Sequence, residues 1–456
     1  MSLRPGRWRI EGVSALLRSD HGTILRDMTA VAFFLFLAKL AAAAKEMVVA
    51  WRYGTGTVVD AYLFVFNIVG VPIAVWYSVL SVVLIPLLAR LRQSDQSSES
   101  RFRRELLGCT IIIGIAAGIS VWLLLRLSLA ASSLGLPPET RALAAASVDW
   151  LAWLIPLGLM VHFGSVLLMA GGRHTNSLLE GAQPLTLLLL LLLLSSGGIW
   201  VLIAGTLLGA LAQLALTAVV AGRGAILSRP LFSFTSPAWS DFRAGIGLML
   251  VAQAALALTT VVDQLFAADL GVGAISTLGY SNRVLGLFLS LGATAVGRAT
   301  LPIYSRVRYT DPAALAPLAR RWCLFMLAGG GIVWLFGWMA ADWVVRILFE
   351  RGAFTHQDTL AVSAVLRWGL SQIPFYFAMF AASMAVFSFG FYRTAAVLAV
   401  VSLLTKIALS FLLVPQFGLS GLMLSTTATY AVSAAIMFVL LGRFRIPQIS
   451  PGREHD

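Results

Sequence analysis

The chain has 456 residues, of which 59% are hydrophobic and only 12% are charged. Soluble globular domains carry about 25% charged residues, so this composition excludes an ordinary soluble protein. The net charge of +13 comes from arginines in short segments between apolar runs. That distribution argues against a nucleic-acid partner, which we therefore do not expect. Apolar runs of membrane-spanning length recur from residue 28 to residue 441, which predicts an all-α polytopic membrane protein.

In chain order, the apolar runs predict twelve transmembrane helices. The first carries lysines and a glutamate and is too long for a cleaved signal peptide, so we interpret it as a retained helix. The predicted helices span residues 28–52, 58–89, 105–127, 142–170, 177–195, 199–221, 240–267, 273–305, 317–348, 359–389, 394–414 and 418–441.

Predicted loops with many arginines alternate along the chain with loops that contain few. The rich set comprises the segment before the first helix and the loops with the arginines of 90–104, 173, 223–243, 306–321, 393 and 443–453. The opposite set holds only five arginines, which are Arg52, Arg126, Arg141, Arg346 and Arg351. The positive-inside rule therefore predicts that both termini are cytoplasmic, as an even number of spans requires. We expect the arginine clusters to contact anionic membrane lipids.

An internal repeat predicts two six-helix lobes. VLIPLLARLR (83–92) resembles ATLPIYSRVR (299–308), and an Ile-Pro pair at 155–156 recurs at 373–374. Transporters built from such repeats bind substrate in a central cavity between them. The predicted divisions are a cytoplasmic N-terminal segment 1–27, an N-lobe 28–221, a linker 222–239, a C-lobe 240–441 and a cytoplasmic tail 442–456.

All three lysines of the chain, Lys39, Lys45 and Lys406, lie in apolar runs. A charge near the bilayer centre costs about 2.5–3.5 kcal/mol on insertion scales, so such residues usually line a polar cavity. Together with Arg283, Lys39 and Lys45 predict a cationic cavity for phosphate or pyrophosphate. The alternative is internal ion pairing, for example Lys39 with Glu46, or snorkelling to the interface.

Further charges in the predicted helices give secondary predictions. Glu46 and Asp263 are predicted as ion- or proton-coupling sites or as structural counter-ions. Arg298, Arg367 and Lys406 are secondary cavity residues. The sequence has no GxxxxGK[ST] phosphate loop and no metal-ligand spacing, so we expect no enzymatic activity, cofactor or metal.

Four segments give a family resemblance. They are AAKEMVVAWRYGTGTVVDAYLFVF (43–66), residues 261–306, LFERGAFT (348–355) and FGLSGLMLSTTATYA (417–431). They resemble the MurJ/MviN lipid II flippases of the multidrug/oligosaccharidyl-lipid/polysaccharide exporter superfamily. The resemblance implies two six-helix lobes around a central cavity, in a bacterial inner membrane. It also implies that Lys39 and Lys45 occupy positions at which the family has arginines in the cavity. Asp60 and Arg283 would occupy the family's acidic and cationic substrate positions.

The sequence departs from the family pattern at several positions. FNIVG (66–70) lacks a lysine, Ile73 and Ala74 replace an arginine pair, and Gly286 replaces a glutamate. The family also has two further spans after the twelfth. We therefore predict a flippase for a polyprenyl-pyrophosphate-linked saccharide, either lipid II-like or a polysaccharide precursor, driven by the membrane potential or a coupled ion.

Two alternatives to a flippase stay open. One is a cation-coupled multidrug exporter of the same superfamily. The other is a non-transporting scaffold that organises cell-wall or polysaccharide synthesis proteins.

Overall fold

In the computed structural model, the described residues are 20–94, 96–172, 176–194, 196–222, 228–388 and 392–443, and they form helices and no strand. The predicted segments 1–27, 222–239 and 442–456 fall partly outside these ranges. The first seven helices are α1 Asp20–Tyr53, α2 Thr57–Ser94, α3 Gln96–Ala130, α4 Pro138–Leu151, α5 Leu154–Ala170, α6 Asn176–Leu179 and α7 Ala182–Leu193. The others are α8 Ile199–Ala221, α9 Ala238–Ala268, α10 Ala274–Thr310, α11 Pro312–Phe349, α12 His356–Leu370, α13 Ile373–Ser388 and α14 Tyr392–Arg443.

The all-α membrane fold is confirmed, whereas the count of twelve spans stays a prediction. Among the described residues, 8 helices are long and apolar enough to cross a membrane, or 9 if the bent pair α4 and α5 is one span. The helix α7 is shorter. The last two predicted spans form the single helix α14, which is broken at Gly418 with φ 56°. By helix length and composition, the described residues therefore contain fewer candidate spans than the twelve that the apolar runs predict.

Two of the predicted spans are broken at the repeated Ile-Pro pair. The axis bends by 48° between α4 and α5, and Pro156 lies in the first turn of α5. Residues 371–372 likewise separate α12 from α13, whose second residue is Pro374. Proline is tolerated in a first helical turn because the N–H it lacks has no acceptor there.

Each Ile-Pro pair packs against a glycine of another helix. A Cβ atom at Gly114 of α3 would lie 2.9 Å from the Cα of Pro156, and one at Gly330 of α11 would lie 2.6 Å from the Cα of Pro374. Real side chains do not approach so closely, so both positions require glycine. The same glycine–proline contact thus occurs twice in the chain, and its two residues are separated by nearly the same number of positions each time. This recurrence supports the internal repeat.

The chain forms two compact units whose boundaries differ from the predicted lobes. The first contains the described residues up to Val48, together with Trp76–Ser120 and Trp150–Phe242. Within it, Gly205 of α8 packs against Leu187 of α7, and the rings of Trp239 and Phe242 lie edge-on to Phe102.

The second unit contains Val49–Val75, Val121–Asp149 and the described residues from Arg243 onward. Its core is formed by buried residues of α10, α11, α13 and α14, among them Tyr304, Ala319, Ala382 and Met437. The turn between α1 and α2 therefore packs with helices of the C-terminal half. The predicted division into N- and C-lobes stays a prediction.

Candidate functional site

The charged residues of α1 lie in the first unit. The Lys45 ammonium forms an ion pair with the Glu46 carboxylate, and these side chains are 15% and 13% exposed. Lys39 is exposed and interacts electrostatically with Glu180. The close approach of Gly181 to Ala38 brings these chain segments together, because a Cβ atom at residue 181 would lie 3.2 Å from the Ala38 Cα. The predicted basic residues of α1 thus each have an acidic neighbour.

A second polar group in this unit surrounds Glu180. Its carboxylate accepts a hydrogen bond from the Asn176 amide at 3.4 Å and interacts electrostatically with Tyr77. The Tyr77 ring lies 4.5 Å from the ring of His162, centroid to centroid. Glu180 lies in the predicted helix 177–195, and nothing in its local sequence pattern indicates Lys39 as a neighbour.

In the second unit, the turn between α1 and α2 packs on the 348–355 motif. The Ala353 N–H donates to the Trp51 carbonyl at 2.7 Å, and the Thr55 hydroxyl donates to the Asp358 carboxylate. A Cβ atom at Gly54, where φ is +60°, would lie 2.5 Å from the Ala353 carbonyl oxygen. Glycine is required there both by the left-handed backbone and by the close approach.

Asp60 caps a helix that begins more than 200 residues later. Its two carboxylate oxygens accept hydrogen bonds from the Gly273 N–H at 2.5 Å and the Ser276 N–H at 2.7 Å. These donors belong to the first turn of α10, where N–H groups lack helical acceptors and the helix dipole favours a negative charge. The Tyr280 hydroxyl adds a hydrogen bond to the Gly54 carbonyl at 3.1 Å. We define these contacts of residues 51–60 with 273–280 and 352–358 as the α1–α2 clasp.

The predicted arginines occupy different environments. Arg283 is half-buried on α10, seven residues after Ser276, and Arg298 is exposed farther along the same helix. Arg367 of α12 donates to Asp342 of α11 at 2.5 Å, which is an ion pair within the second unit.

Lys406 is the most enclosed of the predicted cations. Its side chain is 2% exposed, and the Nζ atom lies 2.7 Å from Asp263 Oδ1. Two predicted residues, one on α9 and one on α14, therefore form a buried pair. Two further predicted residues, Lys45 and Glu46, are also brought together. The roles of all these residues in binding substrate stay predictions.

Glu105 is a buried carboxylate that the sequence did not indicate. It is 0% exposed and accepts hydrogen bonds from the Ser233 hydroxyl at 2.7 Å, the Ser236 N–H at 3.0 Å and the Trp239 indole at 2.7 Å. It ties α3 to the segment that leads into α9. Its neighbours in sequence are arginines, so Glu105 resembled part of an exposed interfacial cluster.

The helices adopt a fold known from solved membrane transporters. The chain superposes with a TM-score of 0.78 on a structure of lipid II flippase MurJ in an inward closed conformation, with 19% identity, covering 91% of this chain and 88% of that one. A multidrug resistance MATE family transporter of the MOP superfamily, in an inward-facing conformation, gives a TM-score of 0.70 at 14% identity, covering 90% and 93%. The chain therefore has the fold of these two membrane transporters.

The family follows from the sequence match. The family model "Lipid II flippase MurJ" matches residues 49–451, and the chain belongs to that family. A probable lipid II flippase MurJ of Bdellovibrio bacteriovorus is 28% identical over 255 residues, and one of Synechocystis is 24% identical over 455 residues. These matches cover 54% and 92% of this chain.

The matches are uneven along the length of the relatives. The chain spans about half, 47%, of the Bdellovibrio protein and 82% of the Synechocystis protein. The family match contains Asp60 and Arg283, whereas Lys39 and Lys45 precede its first residue.

Proposed function

We propose that the protein is a flippase for a polyprenyl-pyrophosphate-linked saccharide, which it moves from the inner to the outer leaflet of a bacterial inner membrane. Membership of the lipid II flippase MurJ family carries this proposal. The basic residues within apolar helices support it, since a pyrophosphate inside a membrane protein requires cationic partners. Both termini would be cytoplasmic, in agreement with the distribution of arginines.

Lys39, Lys45 and Arg283 are the residues we propose for the pyrophosphate. Arginine offers bidentate hydrogen bonds to phosphate oxygens, and lysine offers a mobile point charge. Lys45 forms an ion pair with Glu46 in a largely buried position, whereas Lys39 interacts electrostatically with Glu180 and its side chain is exposed. We therefore expect loss of Lys39 to reduce transport more than loss of Lys45.

The α1–α2 clasp suggests how access could alternate. It joins the turn between the first two helices to the start of α10 through short segments and few hydrogen bonds. Opening at this face would require the clasp to separate, and closing would form it again. A joint that can separate and form again is the element that alternating access needs.

The test is complementation of bacteria depleted of their own lipid II flippase, with membrane insertion checked by immunoblot. Rescue by the wild-type chain would identify lipid II as a substrate. If the inserted protein fails to rescue, the same chain is tested in a strain that cannot export a polysaccharide precursor. Failure in both strains would contradict the proposal.

Variants then test the binding residues. In whichever strain is rescued, Lys39→Ala, Lys45→Ala and Arg283→Ala should each reduce rescue without lowering the amount of protein. Arg141→Ala, on α4 and outside all predicted sites, is the matched control and should rescue fully. Three fully active variants would contradict the pyrophosphate site and favour a scaffold. Increased drug susceptibility on deletion, without a glycan defect, would favour a drug exporter.

A further inference from the structure

Lys406 lies in a site built from four oxygen atoms. Besides Asp263 Oδ1 at 2.7 Å, its Nζ atom lies 3.0 Å from the Leu422 carbonyl oxygen, 3.0 Å from Ser425 Oγ and 2.5 Å from Thr426 Oγ1. An ammonium has three N–H donors, so this site provides more acceptors than Lys406 can use at once.

The break at Gly418 creates this site. Lys406 and Leu422 are 16 residues apart on α14, which in a continuous helix would separate them by roughly 24 Å along the axis. Because the helix is broken at Gly418, with φ 56° and ψ −135°, the segment containing Leu422, Ser425 and Thr426 folds back beside Lys406. The chain thus disrupts a transmembrane helix and places its polar groups around one cation.

The composition of the site is that of a metal-ion site. One carboxylate, one backbone carbonyl and two hydroxyls are hard oxygen ligands, which bind alkali and alkaline-earth cations in proteins. The single carboxylate matches a single positive charge. A further hydroxyl lies next to these four oxygen atoms, since Ser410 Oγ is 3.1 Å from Ser425 Oγ.

We propose that Lys406 is a built-in cation that occupies a site for a monovalent metal ion, so that the protein functions without binding Na⁺ or K⁺ there. The part that concerns transport rests on the proposed flippase function. The ammonium is covalently attached and 2% exposed, so it stays beside Asp263. A metal ion could enter and leave during each cycle, whereas Lys406 cannot.

This assignment favours the membrane potential as the driving force. Moving one charge across the potential is worth about 2.3 kcal/mol per 100 mV. An anionic pyrophosphate that leaves a negative cytoplasm moves in the favourable direction. No inwardly moving metal ion at Lys406 is then needed to drive export.

The first experiment measures thermal unfolding of the purified full-length protein in NaCl, KCl and choline chloride at equal ionic strength. The wild type should have the same Tm in all three salts. Lys406→Ser removes the ammonium and leaves space beside Asp263, so its Tm should rise by several degrees in NaCl or KCl relative to choline, with saturation, because ligand binding stabilises the folded state. In Lys406→Ser combined with Asp263→Asn, this cation response should be lost.

Lys45→Ser is the matched control, since Lys45 is also paired with a carboxylate in an apolar helix. Its Tm should show no preference for NaCl or KCl over choline. A wild type stabilised by Na⁺ or K⁺, or a folded Lys406→Ser variant that responds to neither ion, would overturn the proposal.

A second measurement does not depend on any variant. Flipping by the wild type in liposomes should proceed at equal rates in NaCl, KCl and choline chloride, and a rate that requires Na⁺ or K⁺ would overturn the proposal. Absence of flipping in every salt would contradict the proposed function alone, because the Tm experiment tests the cation site separately.

Discussion

Two buried carboxylates, Glu105 and Asp60, each join parts of the chain that are far apart in sequence, but with different numbers of donors. Glu105 accepts hydrogen bonds from three side chains and two backbone N–H groups of residues 233–239, and a further one from Arg101. Asp60 accepts backbone N–H bonds from Gly273 and Ser276. The difference indicates a permanent joint at Glu105 and a separable one at Asp60, where the proposed transport cycle requires opening.

The largest expected effect is that of Glu105→Ala. The substitution leaves the buried Ser236 N–H and the half-buried Trp239 indole N–H without their acceptor. Hydrogen bonds to a charged group contribute about 1.5–3 kcal/mol each, and total stabilities are about 5–15 kcal/mol, so folded protein should be largely lost. The amount of folded protein that remains is measured by size-exclusion chromatography after heating. Glu99→Ala, which removes ion pairs to the partly exposed Arg92 and Arg103, should have a much smaller effect.

The next largest effect is expected from Gly352→Ala in the 348–355 motif. A Cβ atom there would overlap Trp51, and the φ of +59° disfavours alanine. The clasp should therefore be displaced, with a loss of about 1–3 kcal/mol from the strained backbone and a further loss from the overlap. Gly172→Ala is the matched control, because Gly172 has φ +69° and a Cβ atom there would meet no other atom within 4 Å. Equal losses of Tm would mean that the Trp51 contact is unimportant.

Asp60→Asn should change function more than stability. The amide keeps one oxygen acceptor, but its NH₂ group would face a backbone N–H of α10 and the negative charge is lost. We expect a Tm loss well below that of Glu105→Ala, together with a clear loss of complementation. A variant that unfolds as completely as Glu105→Ala would show that Asp60 is also a permanent joint.

The smallest effect concerns Glu350, in the connection between α11 and α12. The Thr359 hydroxyl donates to its carboxylate at 2.7 Å, and with His356 and Arg346 it lowers the pKa of Glu350 below its usual value. A lowered pKa stabilises the fold above the usual carboxyl pKa, and this contribution is lost as the pH falls through the folded-state value. Wild type should therefore have a slightly higher Tm than Glu350→Gln at neutral pH, and the difference should shrink as the pH falls below the usual carboxyl pKa and through the lowered folded-state value. A difference that persists in acid would contradict this assignment.

The sequence predicted features that depend on composition or on local pattern. Apolar runs predicted helices. The left-handed backbone at Gly54 and Gly352 was not predicted, but it also has a local cause, as do the breaks before Pro156 and Pro374. Each of these follows from the physical properties of a few adjacent residues, namely hydrophobicity, the missing N–H of proline, or the missing Cβ of glycine.

The polar contacts could not be predicted in the same way. Asp263 and Lys406 are 143 positions apart, and their pairing depends on how α9 packs with a broken α14. The hydrogen bonds of Glu105 likewise depend on a segment that lies more than 120 residues later in the chain. Such partners are chosen by tertiary packing, so the sequence can indicate that a buried charge needs a partner but not which residue supplies it.

The joint at Glu105 also has a consequence for biosynthesis. Its partner Ser233 lies 128 residues later in the chain, so at roughly 5–20 residues per second a ribosome needs roughly 6–26 seconds to reach it. During that interval the carboxylate of α3 is already made while its hydrogen-bond donors in residues 233–239 do not yet exist. Arg101, one helical turn earlier, is available from the start as a counter-ion. Completion of the first unit is thus delayed until the chain has been synthesised into α9.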